Sequence, residues 1–279
     1  MPLLEFLLNH TPRLAVRPAP FGVFHLASAA VIFCLCVLMV VFRRRLPRGE
    51  GNLRRGLMIF GIGLLLWEIG KQVTYSYAPA TGWDYNWDRF PFQFCSTPIY
   101  VALVAMCLPA GRMRQALLSF LATYSPVAGC AVLFYPSADV FHEILFLNIH
   151  AMLWHGSMLL FGLYLWLTEA VTPSVRTGLT AAAVYLPLPG IALALNELEM
   201  VLGFAGTYTF NMFYIARDGQ CMIPVLSWFR QYTPYPVFFA AYVLTLGVGG
   251  ILVTAGMGGI RWLRGKCRCP HPKKTKKWG

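Results

Sequence analysis

The sequence is short of charged residues, which make up only 12% of its 279 positions. Soluble domains carry about 25% charged residues, so an ordinary water-soluble domain is excluded. Among the charged residues the acidic ones are in the minority, with 11 Asp and Glu against 23 Lys and Arg. Residues 1–20 also lack a continuous apolar run, so no cleavable signal peptide is expected there.

Long apolar runs fill most of the chain instead, and each approaches the roughly 20 residues that a membrane-spanning helix needs. They lie near residues 21–42, 56–76, 90–109, 115–134, 144–168, 177–200 and 235–257. We therefore expect an all-α polytopic membrane protein, a seven-transmembrane-helix bundle. The expected organisation is a short N-terminal segment 1–20, a membrane domain 21–260 with an outer cap near 201–234, and a basic tail 261–279.

Basic residues mark the cytoplasmic side of a membrane protein, and their distribution along this chain is uneven. One side of a seven-span bundle would carry Arg43, Arg44, Arg45, Arg48, Arg54, Arg55, Arg112, Arg114, Arg176 and the tail. The other side would carry Arg13, Arg17, Arg89, Arg217 and Arg230. This predicts an outer N-terminus and a cytoplasmic C-terminus. The net charge of +12 then reflects topology and contact with the anionic lipid bilayer, with no nucleic acid as a partner.

The third apolar run opens with a thiol, Cys95, ahead of Ser96, Thr97 and Pro98. These three residues are suited to the first positions of a helix. A helix starting there would place Cys95 at its positive end, which favours the thiolate. Alternatively, Pro98 kinks a longer helix that begins near Asp88.

Polar residues inside the runs cluster toward the predicted outer side. They are His25, Glu68, Lys71, Gln93, Cys95, Ser96, Thr97, Asn148, His150, His155, Asn196 and Glu197. Polar groups at membrane depth tend to face a cavity, so the pattern predicts a polar pocket that opens outward. Purely structural roles stay open for several of these residues. Glu68 and Lys71 are spaced so that they can neutralise one another. His25 can bond a backbone carbonyl, and Asn196 can bridge to the cap.

The other cysteines have simpler readings. Those inside apolar runs, namely Cys34, Cys36, Cys107 and Cys130, are expected to be small core residues. Cys267 and Cys269 in the tail, with one neighbouring histidine, give too few ligands for a zinc site. A disulfide between Cys95 and Cys221 remains an alternative to a reactive thiol.

Several short motifs, taken in order, carry a resemblance to a known family. They are Phe21-Gly22-Val23-Phe24-His25, Pro91-Phe92-Gln93-Phe94-Cys95-Ser96, His155-Gly156, Asn211-Met212-Phe213 and Tyr232-Thr233-Pro234-Tyr235-Pro236. The chain resembles the YwaF-type bacterial integral membrane proteins, which are related to the animal transmembrane protein 164 acyltransferases. The match covers nearly all of the seven-span region and excludes the tail.

The resemblance implies a cysteine acyl carrier, in which Cys95 is the nucleophile and His155 is the base. By helix rise, Cys95 would lie about 5–10 Å below the outer boundary and His155 about 16 Å below it. Unless tilt closes that gap, His150 is the better-placed base. A more distant kinship with threonine hydrolases of lipid esters draws attention to Thr97.

The expected function is acyl transfer between phospholipid and lysophospholipid through a cysteine thioester, in the bacterial cytoplasmic membrane. The residues expected to bind substrate or support catalysis are His25, Glu68, Lys71, Gln93, Ser96, Thr97, Asn148, Asn196 and Asn211. No metal or organic cofactor is implied, although His25, His150, His155 and Glu68 form a conceivable zinc set. The alternatives are a lipid ester hydrolase with the same residues, and a seven-helix receptor or transporter.

Overall fold

Within residues 3–223 and 225–266, which the computed structural model describes, the chain forms ten α-helices and one short hairpin. The helices are α1 (Leu3–Asn9), α2 (Val23–Val41), α3 (Glu50–Tyr75), α4 (Thr97–Cys107), α5 (Arg112–Phe134), α6 (Leu145–Leu167), α7 (Val175–Tyr185), α8 (Pro187–Leu202), α9 (Leu226–Tyr232) and α10 (Tyr235–Lys266). Strands β1 (Tyr77–Ala78) and β2 (Gly82–Trp83) pair antiparallel. The tail cysteines Cys267 and Cys269 lie outside the described residues.

Six helices are long and apolar enough to cross a membrane. They comprise α2, α3, α5, α6, the continuous pair α7–α8, and α10. The predicted third span is shorter than expected, because its apolar helical part covers only Phe94–Cys107. The chain is thus a membrane protein with several apolar helices, and the count of seven spans remains a prediction.

The helices alternate in direction, so the ends of several helices meet at each end of the bundle. The two ends carry different polar residues. At one end, here called the basic end, Arg48 donates to the Leu167 carbonyl at 3.2 Å and Arg114 pairs with Glu50. The other end is here called the cysteine end, because Cys95 lies there just before α4 begins. The last turns of α3 and the first turns of α6 lie at this cysteine end, which brings most of the predicted polar residues to one side.

Helix α5 forms the centre of the bundle and packs most closely against α6. A Cβ atom at Gly129 would lie 2.5 Å from the His155 carbonyl oxygen, and one at Gly162 would lie 2.2 Å from the Pro126 ring. These glycines therefore let the two helix backbones approach one another, as small residues do in membrane bundles. The approach fixes the position of the α6 turn that carries His155.

Two glycines in the middle of α10 allow a close approach to α5. A Cβ at Gly250 would lie 2.5 Å from the Tyr124 ring, and one at Gly249 would lie 3.3 Å from Val127. Gly256 and Gly259 have no such neighbour within 4 Å among the described atoms. Close packing of α10 is thus confined to its middle.

Residues 203–223, Val225 and α9 are called the cap below, and they overlap the outer cap that the sequence predicts near 201–234. Gly203 ends α8 with a φ of 63°, a conformation that favours glycine. Phe213 of the cap packs against Phe92 and Phe94, with ring centroids 5.8 and 5.9 Å apart. The cap is therefore built directly onto the segment that carries Cys95.

Replacement of Gly129 by alanine is expected to lower the free energy of unfolding by about 1–3 kcal/mol, because the new methyl group overpacks the α5–α6 contact. The loss should appear although alanine is the better helix former by about 1 kcal/mol. Denaturant unfolding in detergent micelles measures it. Gly190→Ala is the matched control, since Gly190 lies in α8 with open space around it. Equal stability of the two variants would contradict the packing assignment.

Candidate functional site

Cys95 lies in a single 3₁₀ turn, Phe94–Ser96, immediately ahead of α4. Helix α4 begins at Thr97 with Pro98 in its first turn, where the fixed φ of proline suits a helix start. The structure thus realises the first of the two predicted geometries, a helix that starts after the thiol. Neither Ser96 nor Thr97 caps it: Ser96 makes no side-chain cap bond, and the Thr97 hydroxyl donates to the Phe94 carbonyl at 2.8 Å.

The Cys95 side chain packs against the apolar core of the bundle, and the Ser96 hydroxyl lies next to its thiol. The Lys71 ammonium and Glu68 carboxylate of α3 act on the thiol electrostatically. The Tyr214 phenol of the cap and the Tyr242 phenol of α10 interact with it in the same way. Charged and polar groups of α3, α10 and the cap therefore all influence a thiol that sits on the edge of the core.

Trp154 of α6 fixes the backbone at Cys95, because its indole N–H donates to the Cys95 carbonyl at 3.0 Å. The His150 ring stacks on the same indole, with centroids 5.1 Å apart and planes 22° apart. The Trp67 ring meets His150 edge-on, with centroids 6.0 Å apart. One indole thus links the cysteine turn to one of the two candidate bases.

Both candidate bases, His150 and His155, are buried, with exposed fractions of 6% and 8%. The Nδ1 atom of His155 lies 2.7 Å from the Ala151 carbonyl oxygen. A carbonyl oxygen only accepts, so Nδ1 carries the proton and Nε2 has the lone pair. Within the described part of the chain, Nε2 of each histidine is buried without a hydrogen-bond partner. The Lys71 ammonium acts electrostatically on both imidazoles.

Glu68 and Lys71 form the ion pair that their spacing predicts, with Nζ and Oε1 2.7 Å apart. The same oxygen accepts a hydrogen bond from Gln72 at 2.7 Å, while the Gln72 amide also donates to the Arg89 carbonyl. The pair is largely shielded from solvent, because the Glu68 side chain is only 5% exposed. The two residues do neutralise one another, and they do so within reach of the thiol.

Beyond this ion pair lies a group of buried polar atoms that have no hydrogen-bond partner among the described residues. They are Glu68 Oε2, Gln72 Oε1, Ser76 Oγ, Asn86 Oδ1, Asp88 Oδ1 and Arg89 Nε. Buried polar atoms are nearly always paired in folded proteins. These atoms lie around the last turns of α3 and in residues 86–89, and the set is called the polar chamber below.

Other predicted site residues have their polar groups engaged in holding the fold. The Nδ1 atom of His25 accepts from the Phe21 N–H at 3.0 Å, and its Nε2 lies 3.0 Å from the Leu133 carbonyl oxygen. Asn148 accepts from the backbone of His142 and donates to its carbonyl. The two residues thus fasten helix ends at the cysteine end, as the structural reading of His25 predicts.

Three amides predicted as supporting residues join the cap to the bundle. Gln93 donates to the Asn211 carbonyl and accepts from the Phe213 N–H, both at 2.8 Å. Asn196 makes two bonds to the backbone of Met212, and Asn211 bonds the backbone of Ala216 and Gln220. Gln93, which the sequence predicts as a supporting residue, thus uses its amide oxygen and one N–H to hold the cap.

The structure adds residues that sequence reasoning missed, notably Trp154, Gln72, Tyr214 and Tyr242. Within residues 3–223 and 225–266, the hydroxyl of Tyr242 is buried and lacks a hydrogen-bond partner. A hydroxyl inside the apolar run 235–257 was the signal that could have found it. Burial raises the pKa of the Tyr214 phenol to about 12, so this hydroxyl keeps its proton at neutral pH and can donate.

The thiols of Cys95 and Cys221 are both free, so the alternative of a disulfide between them has no support here. Cys221 is buried in the apolar cluster of the cap. Among the described residues, no group of three or more His, Cys, Asp or Glu side chains is arranged to hold a metal ion. The conceivable zinc set loses His25 in particular, because both of its ring nitrogens are already bonded.

Comparison with known proteins adds a family to this geometry. Neither a curated protein nor a solved structure matches the chain. The sequence model of the TMEM164 family matches residues 20–253, a range that begins just before α2 and ends inside α10. It therefore includes Cys95, both candidate histidines and the cap. Since the match spans most of the 279 residues, the chain belongs to the TMEM164 family.

Proposed function

We propose that this protein is a membrane-embedded acyltransferase that moves a fatty acyl chain between phospholipid and lysophospholipid through a thioester on Cys95. One observation carries the proposal: Trp154 bonds the Cys95 backbone and stacks on His150, whose buried Nε2 atom, like that of His155, has no hydrogen-bond partner among the described residues. A thiol, a neutral base and a fixed cation within one membrane domain are the components of covalent acyl transfer. The resemblance described above implies the same chemistry.

In the first half-reaction, Cys95 attacks the carbonyl carbon of a phospholipid ester. His155, or alternatively His150, takes the thiol proton at Nε2. The carbon–oxygen bond then breaks, and the imidazolium returns the proton to the departing glycerol oxygen. The products are a Cys95 thioester and a lysophospholipid.

In the second half-reaction, the hydroxyl of another lysophospholipid attacks the thioester carbonyl. The same imidazole takes the hydroxyl proton, the carbon–sulfur bond breaks, and the sulfur recovers the proton. The enzyme is thus restored and the acceptor gains the acyl chain.

Charge that develops on the ester oxygen needs hydrogen-bond donors close to the thiol. Ser96 and Tyr214 lie near the sulfur with protonated hydroxyls, as does the unpartnered hydroxyl of Tyr242. The polar chamber offers Arg89, whose Nε is unpartnered among the described residues, to a lipid phosphate. Arginine suits such oxygens because its donors are fixed in a planar fork.

The distribution of basic residues supports a location of these groups in the outer half of the bilayer. With Arg48, Arg54 and Arg114 at the cytoplasmic surface, the cysteine end faces outward, and α4 serves as a seventh, shorter membrane helix. The proposed setting is the bacterial cytoplasmic membrane, with phospholipids of that bilayer as donors and acceptors.

A lipid ester hydrolase with the same residues is the second candidate function. The observation that favours it is the polar chamber, because a group of unpartnered polar atoms also suits water. In that case water replaces the acceptor hydroxyl in the second half-reaction, and the free fatty acid is the product.

Mass spectrometry of the protein incubated with a labelled phospholipid tests the proposal. Without acceptor, the peptide that contains Cys95 should gain one acyl group that hydroxylamine removes. Added lysophospholipid should then discharge the label into a new phospholipid. Discharge into free fatty acid with acceptor present would favour the hydrolase, and no adduct on Cys95 under either condition would refute both functions.

A further inference from the structure

A groove of about 690 Å³ runs along the bundle between α2, α3 and α6. Most of its wall is apolar. The residues that line it include Asn52, Arg55, Gly56, Gly63, Trp67 and Trp154. The volume lies in the range typical of sites for small organic ligands.

The two ends of the groove differ in chemistry. Asn52 and Arg55 border it at the basic end, and Trp67 and Trp154 border it at the other end. Along α3, the eleven steps from Gly56 to Trp67 correspond to about 16 Å. One leaflet contributes half of a hydrocarbon core of roughly 30 Å, so the apolar stretch has the length of about one lipid acyl chain.

The groove reaches the cysteine turn through Trp154. That indole lines the groove and also donates its N–H to the Cys95 carbonyl. His150 stacks on the same ring, and Trp67 of the groove wall contacts His150 as well. The apolar space therefore ends at the side chain that fixes the cysteine turn in place.

Glycines of α3, which carry no side chain, help to keep the groove open. A Cβ at Gly63 would meet no atom within 4 Å, whereas one at Gly56 would meet the rings of Phe161 and Tyr164 at 3.5 Å. A larger side chain at position 63 would thus project into free space. Gly63 lies four residues from Trp67, so the obstruction would stand about 6 Å from the end nearest the cysteine.

We propose that this groove holds the acyl chain carried by Cys95, with the carbonyl end near Trp154 and the methyl end toward Gly56. This inference rests on the proposed acyltransferase function and adds the element that selects chain length. The chain ends before Asn52 and Arg55, because covering their hydrated polar groups with a methyl group would cost free energy. Gly63 then sets how far a chain can enter.

The variant Gly63→Leu tests the groove in the purified full-length protein, with Gly190→Leu in α8 as the matched control. Transfer from a palmitoyl phospholipid should fall at least tenfold in Gly63→Leu, while transfer from a hexanoyl analogue should stay within twofold of wild type. The control should keep the wild-type ratio of the two donors. An unchanged ratio in Gly63→Leu would overturn the groove assignment, whereas the absence of any Cys95 adduct in wild type would overturn the proposed function instead.

A second measurement uses the wild-type protein and so does not depend on folding of the variant. A phospholipid with a photoreactive group at its acyl terminus should label Ile59, Phe161 or Tyr164 in preference to exposed α8 residues such as Leu198. Labelling at equal levels on both surfaces would show an annular lipid only and would refute the proposal.

Discussion

Replacement of Cys95 by serine is expected to reduce acyl transfer between phospholipid and lysophospholipid by about 10³-fold or more. The reason is acidity: a neutral imidazole can deprotonate a thiol, with its ordinary pKa near 8.5, far more readily than an alcohol. The hydroxyl would occupy the same turn before α4 and meet the same neighbours, Lys71 and Ser96. The assay follows a labelled acyl chain from a diacyl donor into an added lysophospholipid.

Cys221→Ser is the matched control, because that thiol is also free but lies in the cap cluster. It should retain acyl transfer within a few-fold of wild type, and both variants should unfold at similar denaturant concentrations. Wild-type turnover in Cys95→Ser would end the thioester mechanism. Equal losses in the two variants would show that the cap, rather than the Cys95 sulfur, limits the rate.

Replacement of Lys71 by methionine is expected to lower the free energy of unfolding by about 3 kcal/mol, because it leaves the Glu68 carboxylate buried without its cation. The exposed pair Arg217–Glu197 provides the comparison, with side chains 59% and 31% exposed. Exposed pairs contribute about 0–1 kcal/mol, so Arg217→Met should cost correspondingly little. Denaturant unfolding of both variants in the same detergent gives the difference.

The double variant Glu68→Gln with Lys71→Met separates loss of the pair from loss of one partner. Removing both charges should restore much of the stability that Lys71→Met loses, since replacing a buried pair by uncharged groups is often nearly neutral. If Lys71→Met proves no less stable than Arg217→Met, the Glu68 carboxylate is not held as a buried charge.

Much of the fold could be predicted from the sequence, because apolar runs of about 20 residues leave few alternatives to membrane helices. The clustering of polar residues at one end could also be predicted, since alternating helices bring the last turns of α3 and the first turns of α6 together. Ser96, Thr97 and Pro98 indicated the start of α4 as one of two alternatives. Its length did not, because apolar residues such as Phe92 and Phe94 pack against the cap instead of extending the helix.

The role of each polar side chain was harder to predict, because backbone partners are invisible in a sequence. Asn148, Asn196 and Asn211 looked like pocket residues but bond main-chain groups. His25 and His155 have similar sequence surroundings, yet only His155 keeps a ring nitrogen unpartnered within the described structure. Such differences depend on which carbonyl groups the folded chain brings close, and no spacing rule encodes them.

The eleven residues of α4 correspond to about 16 Å, roughly half of the hydrocarbon thickness. The remaining depth at that position is filled by the irregular peptide around Cys95, sheltered by the cap. A glycerolipid ester lies near the boundary between the hydrocarbon and its headgroups. Because Cys95 immediately precedes α4, its sulfur lies deeper than that boundary, and a lipid ester has to move toward the middle of the bilayer to meet it. The polar side chains near Cys95 would lower the cost of burying the ester at that depth.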